Sequence, residues 1–360
     1  MKPSRQSEWL KAFPIDIKSL YEKADEALPH SIKRWWWCWG GLIGLLFLLQ
    51  AMTGLLLAFY YRAEPETAYA TVSFISEHAR FGGFIRSLHQ WGATFMIIFL
   101  FMHMVRVFVT TAFREYRWGA WMAGVILMGV TLGFAFTGYS LVYEQRSYWA
   151  ITVTANIMAY LPLIGNTAKH MFIAGNEINS NTLSRMYALH VQILPTLLIL
   201  FGLVHIFFVR LMGMILPGNQ RDIEQEKALT AREGVYHFYP DHLASEALVF
   251  LYLLLVIALL AISFPALTGP QADPLVTPEH IKPEWYFFPF FHLLKLVPGA
   301  AGVIIMGILG MLLFFWPVVD HYFLQPLDKK FWKGRFETGL LFGLIAIGFY
   351  LFWAYVELKV

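Results

Sequence analysis

The chain has 360 residues, 58% of them apolar and only 14% charged, with a formal net charge of +3. That balance excludes a soluble globular enzyme and a basic nucleic-acid binder, and one cysteine excludes a disulfide framework within the chain. An all-α integral membrane protein remains, because lipid offers the backbone no hydrogen bonds and the alternating pattern of a closed barrel is absent.

Residues 1–34 form a charged leader. Trp9, Leu10, Phe13, Ile17, Leu20 and Tyr21 recur among its charges, the pattern of a helix lying on a membrane surface. It lacks the short apolar core and cleavage site of a signal peptide. Seven apolar stretches then reach the ~20 residues with which a helix crosses about 30 Å of hydrocarbon: residues 35–61, 87–111, 118–142, 186–209, 246–266, 299–319 and 338–356. About seven transmembrane helices are therefore expected. Most of the 27 Lys and Arg fall on the side of the N-terminus, which the positive-inside rule makes cytoplasmic. The expected location is the bacterial inner membrane.

The second span carries His89 and His103, and the fourth carries His190 and His205. Ionisable groups at membrane depth are costly and mark function by default. Intervals of 14 and 15 residues return to within about 40° and 60° of the same helix face and separate the rings of one helix by roughly 21 Å. Both spans run inward, so His89 lies level with His190 near the outer face, and His103 with His205 near the inner face. Two imidazoles facing one another across a bundle suit the axial positions of a haem iron. Two stacked pairs predict a four-helix bundle holding two b-type haems.

Gly40 and Gly54 in the first span, and Gly124 and Gly138 in the third, repeat the 14-residue interval. Glycine there would let a flat macrocycle approach the backbone, although small residues also serve plain helix packing. Arg86 and Arg106, each three residues from a histidine, are candidates for haem propionates, against the plainer role of snorkelling to the interface. Arg210 joins them as a cofactor-binding candidate.

RSLHQW, the spaced histidines, TGYSL, SYWA, RMYALH and above all PEWYFFPFF, Pro283 to Phe291, resemble the cytochrome b/b6 family from about Pro29 onward. The 15-residue spacing and the three spans that follow it match the b6 branch. In many b6-type systems those three spans form a separate subunit IV. The resemblance thus implies a fusion, with a b6-like di-haem domain over 35–210, a cytoplasmic linker over 211–240 and a subunit IV-like domain over 241–360.

The resemblance further implies quinol oxidation at the outer side, between the loop after the third span and the PEWY loop. Glu284 would accept a proton there, while Tyr286 and Tyr139 hydrogen-bond or position the ring. One electron would pass to a Rieske iron-sulfur protein and on to a c-type cytochrome subunit or soluble acceptor. The other would pass through both haems to an inner quinone site, coupled to proton translocation, in a homodimeric complex. Cys38-Trp39-Gly40-Gly41 stands where b6-type proteins attach a third haem by one thioether bond, and the plain alternative is a buried free thiol. The chain departs from the family after TGYSL, where the usual Pro-Trp is replaced by Val142-Tyr143. Two other classes remain open. A di-haem b anchor of another quinone-linked dehydrogenase or reductase would lack PEWY, and a proton-coupled transporter would show no Soret band.

Overall fold

The computed structural model describes residues 27–28, 30–33, 35–114, 117–212, 220–279, 281–297, 299–327 and 338–359. The surface helix expected around Trp9 to Tyr21 lies outside the described residues. The helices are α1 (Trp39–Ala58), α2 (Ala68–Glu77), α3 (Gly82–Val109), α4 (Trp118–Ser140), α5 (Gln145–Ala159), α6 (Gly165–Ile173), α7 (Ser180–Ala188), α8 (Leu194–Met212), α9 (Gln220–Glu233), α10 (Leu243–Ser263), α11 (Phe288–Leu296), α12 (Gly299–Phe314) and α13 (Thr338–Lys359). Among the described residues the only sheet is a two-residue antiparallel ribbon, β1 (Ala27–Leu28) against β2 (Tyr236–His237).

Five helical stretches are long and apolar enough to span a bilayer: Trp35–Ala58, Gly82–Val109, Trp118–Ser140, Ser180–Leu211 and Phe238–Ser263. The sixth expected span is a bent pair, Gly299–Phe314 and Trp316–Leu327, turned by 69°. Pro317 at the start of the second piece explains the bend, since it brings no N–H and crowds the preceding turn. The seventh lies within α13, whose apolar stretch, Gly343–Val356, is shorter. Hydropathy placed five of the seven expected spans as single helices, but it could not see the bend in the sixth or the shorter apolar stretch of the seventh.

α1 packs along α3, and α4 along α8, while α10 closes on α1 and α3. Leu46, Met96, Leu253 and Ile257 form the buried contact of α1, α3 and α10. Leu55, Leu203, Leu251 and Ile262 point outward, as lipid-facing side chains do. The connection between α4 and α8 is helical, formed by α5, α6 and α7.

α7 runs into α8 through one π-helical turn, Leu189–Ile193, and this turn contains His190. Pro195 is the local cause: it has no N–H to donate to the carbonyl four residues back, so the wider turn takes its place. A π turn accommodates one residue more than an α turn. The 15-residue interval from His190 to His205 is thereby brought into phase with the 14-residue interval of α3.

Candidate haem-binding and quinol sites

The structure brings the four histidines together in the expected pairs. The ring centres of His89 and His190 are 6.3 Å apart and those of His103 and His205 are 6.5 Å apart, with interplanar angles of 68° and 72°. A metal–imidazole bond of about 2.0 Å on each side, added to the reach from ring centre to nitrogen, spans such a gap.

Hydrogen bonds fix the tautomer of three rings. His89 Nδ1 lies 2.8 Å from Thr53 Oγ1, whose own proton goes to Leu49 O, so the histidine must donate. His190 Nδ1 meets Thr137 Oγ1 at 3.0 Å in the same way, with the threonine donating to Gly133 O. His205 Nδ1 donates to the Ala120 carbonyl at 2.8 Å. Each such ring keeps its proton on Nδ1 and its lone pair on Nε2, the form that ligates a metal. Sequence reasoning missed both threonines. The signal was present, because Thr53-Gly54 and Thr137-Gly138 are the same dipeptide.

The arginines divide. Arg106 donates to His103 Nδ1 at 3.2 Å and covers the Trp37 ring at 4.6 Å, while its buried Nε has no hydrogen-bond partner. The contact requires the tautomer with the proton on Nε2, so iron ligation by His103 obliges this guanidinium to turn to another acceptor. A propionate is such an acceptor. Arg86 donates to Ser76 Oγ at 3.0 Å, Ala266 O at 2.8 Å and Leu267 O at 3.2 Å. Arg210 lies over the Phe238 ring at 4.6 Å.

The four glycines border the histidine rings. A Cβ at Gly40, Gly54 or Gly124 would stand 3.2, 3.2 or 3.4 Å from Cε1 of His103, His89 or His205, and one at Gly138 would stand 2.6 Å from Cε1 of His190. Each glycine thus admits the imidazole of the neighbouring helix. Gly138→Ala is expected to push His190 off Thr137 and abolish the b-haem signal of the His89–His190 pair in a reduced-minus-oxidised spectrum. Gly124→Ala, with an ordinary contact, should keep the inner one. The ring-seating role fails if both variants retain full signals.

At the other end of α3, the RSLHQW motif grips the segment after α10. Besides Arg86, Ser87 Oγ accepts from Ala266 N at 2.9 Å, and Trp91 Nε1 donates to Phe264 O at 2.9 Å. The departure after TGYSL is built into a second connection. Tyr143 is buried with a φ of 53°, Glu144 is 3% exposed, and Glu144 Oε2 accepts from Gly269 N at 2.5 Å. The Gln145 side chain donates to Val276 O at 2.5 Å and accepts from Asp273 N at 2.6 Å. This latch holds the PEWY loop against the end of α4.

Behind it the structure gathers Glu284, Tyr286, Tyr139 and Arg146 within electrostatic reach of one another. Burial raises the Glu284 carboxyl above the usual range, the neighbouring Arg146 guanidinium lowers it, and Glu144 adds to the rise. Tyr286 is buried, and burial likewise raises its hydroxyl. The Tyr286 carbonyl accepts from Tyr350 Oη of α13 at 2.9 Å.

The opposite end of the bundle holds a cavity of about 1690 Å³, larger than the ~300–1,000 Å³ of an ordinary ligand pocket. His103, His205, Gly40, Gly41, Arg106 and Glu246 are on its wall. Cys38 is 3% exposed and sits beside that wall, between Trp37 and Trp39, which line it.

A model described as cytochrome b/b6/petB matches residues 23–213, and one described as cytochrome b(C-terminal)/b6/petD matches residues 271–355. The chain belongs to the cytochrome b/b6 family. It joins in one polypeptide the b6-like part and the subunit IV-like part. The cytochrome b6 of Heliobacterium modesticaldum (strain ATCC 51547 / Ice1) is 44% identical over 194 residues, covering 54% of this chain and 91% of that protein. The cytochrome b6 of Heliomicrobium gestii is 43% identical over 211 residues, covering 58% of this chain and 99% of that protein. Among solved structures, a hyperthermophilic respiratory Complex III chain superposes with a TM-score of 0.73 at 24% identity, over 87% of this chain and 82% of that one, and so shares the fold. The family binds b-type haems and serves electron transport, and the four histidines, the partnerless Arg106 Nε and the bordering glycines fit such groups.

Proposed function

We propose that the chain is the cytochrome b subunit of a Rieske/cytochrome b complex, a membrane quinol oxidoreductase. It lies in the bacterial inner membrane with its N-terminus cytoplasmic, which makes the His89–His190 end the outer one. The observation that carries the reading is the pair of facing imidazole couples, held at two depths by Nδ1 hydrogen bonds, in a chain that also presents a half-buried carboxyl on PEWY. The haems, when bound, supply one-electron carriers at those two depths.

The protein's own residues do the remaining work. Thr53, Thr137 and the Ala120 carbonyl aim the ligand nitrogens. Glu284, a half-buried carboxyl, takes a quinol proton, and Tyr139 and Tyr286 position the ring beside it. The latch of Glu144 and Gln145 sets the rim against which a Rieske partner docks, and a c-type cytochrome or soluble acceptor receives its electron. At the inner end the cavity accommodates a quinone, and Cys38 carries a third haem through a thioether. That attachment requires the groups packed around the thiol, which is 3% exposed and within 4.8 Å of His242 and Glu246, to move aside. The complex is a homodimer.

The function is tested on the purified complex. Quinol-dependent reduction of a c-type cytochrome, together with two b-haem signals, is the expected result, and a preparation without a Soret band ends the proposal. The third haem has its own test. A peroxidase-active band at the chain's mass on a denaturing gel should vanish in Cys38→Ser, and an unstained wild-type chain rules the attachment out.

A further inference from the structure

The first turn of α5 carries a charge that the quinol-site reading leaves unused. Glu144 leads into the helix in an extended conformation, and Gln145 N donates to Pro270 O at 2.9 Å, so the next residue is delivered to the seam between α4 and the segment that leads to PEWY. That residue is Arg146. Its Nε and Nη2 donate to Glu144 Oε1 at 3.2 and 3.1 Å, while Glu144 Oε2 is held by Gly269 N. The partners are unequal, the Glu144 side chain being 4% exposed and the Arg146 side chain 60%. The guanidinium carbon lies 5.9 Å from the centre of the Tyr139 ring, inside the ~6 Å over which an aromatic face attracts a cation.

The other polar groups around the PEWY turn are engaged elsewhere. On α11, His292 stacks on the Trp353 ring with centres 3.8 Å apart, and Lys295 lies over the Phe291 ring at 4.5 Å. The Tyr350 hydroxyl of α13 donates to the Tyr286 carbonyl. Arg146 is the cation that acts on Glu284, with Glu144 as the opposing anion and the Tyr139 and Tyr286 hydroxyls as neutral neighbours.

We propose that Arg146 is a positioning residue for quinol oxidation: its guanidinium, anchored by Glu144 over Tyr139, keeps Glu284 in the carboxylate form that accepts the quinol proton. The inference rests on the reading of Glu284 as the base and names the group that readies it. A carboxyl withdrawn from water holds its proton, and a cation that offsets this has to stand close to the site without filling it. Arg146 does so from the rim, tied to a buried carboxylate. It neither gives nor takes the proton itself. Once Glu284 has been protonated, the same positive charge favours loss of that proton to water, which restores the base for the second quinol proton. As a counter-ion of Glu144 and nothing more, Arg146 would serve the latch alone.

The experiment uses the intact complex and follows quinol-dependent haem reduction across pH. Arg146→Met keeps a long side chain and removes the charge, and Arg146→Lys keeps the charge and loses the paired Nε and Nη2 donors. In Arg146→Met the rising limb should move to higher pH by about one unit, so that turnover falls about tenfold below the inflection and converges on the wild-type rate above it. In Arg146→Lys the limb should stay near its wild-type position, and both variants should hold both b haems. A limb that stays in place in Arg146→Met, one that moves equally in Arg146→Lys, or a loss of rate equal at every pH overturns the inference. Glu284→Gln separates it from the reading beneath. If that variant keeps the limb, Glu284 is not the base and both fall; if it loses the limb, the result for Arg146→Met decides the inference alone.

Discussion

Replacing His190 with alanine is expected to remove the outer b haem altogether and to leave the inner one spectrally intact. Among the described residues, the groups against the two rings include Thr53, Thr137, Phe134, Gly54 and Gly138, none of which can replace an imidazole on iron. The inner pair is held by other partners, Ala120 O and the Gly40 and Gly124 faces, so its geometry does not depend on His190. Thr137→Val should do much less, weakening haem affinity by about 10–100-fold, because it frees the ring's orientation without removing the ligand. Redox difference spectra and haem quantification on the assembled complex distinguish these outcomes. Two full b-haem signals in His190→Ala would show that the ligand pairs are misassigned.

Glu284→Gln is expected to lower quinol oxidation by about 10²–10⁴-fold, the range for a positioned acid–base group, with both haems retained. The sign of its pH dependence follows from the site. Only the carboxylate accepts a proton, and burial, the larger influence, holds the acid form to higher pH against the pull of Arg146. Turnover should therefore rise with pH through an inflection above the ~4.3 of a solvated glutamate. In Glu284→Gln the slow residual rate should lose that inflection. Steady-state rates across pH, with haem reduction as the readout, check both halves. An unchanged limb in the variant would assign the proton to another acceptor.

Much of the site was legible because its periodicities are local. Histidines repeating at 14 and 15 residues, and glycines at 14, report helix faces and depths, and hydropathy reports apolar stretches. The π turn at His190 was not legible as such, although Pro195 marks where the ordinary helix bond must fail. Arg86 shows a different limit. Its distance from His89 suggested a cofactor contact, but nothing near it in the chain announced its acceptors at Ala266 and Leu267, some 180 residues away. The Glu144 and Gln145 latch escaped for a related reason. Such partners are chosen by tertiary approach, and no spacing rule within one segment encodes them.

The grip of α3 on residues 264–267 changes what the stretch of chain between α8 and α10 has to do. Arg86, Ser87 and Trp91 join the halves side by side, and the Leu46, Met96, Leu253 and Ile257 contact seals them below. The affinity of one half for the other is thus already written in noncovalent contacts. Continuity of the chain adds effective concentration, equivalent to millimolar partner for a short flexible tether, and a fixed one-to-one stoichiometry at synthesis. Gene fusion and gene splitting then become nearly interchangeable for this architecture, differing in assembly kinetics rather than in the finished particle.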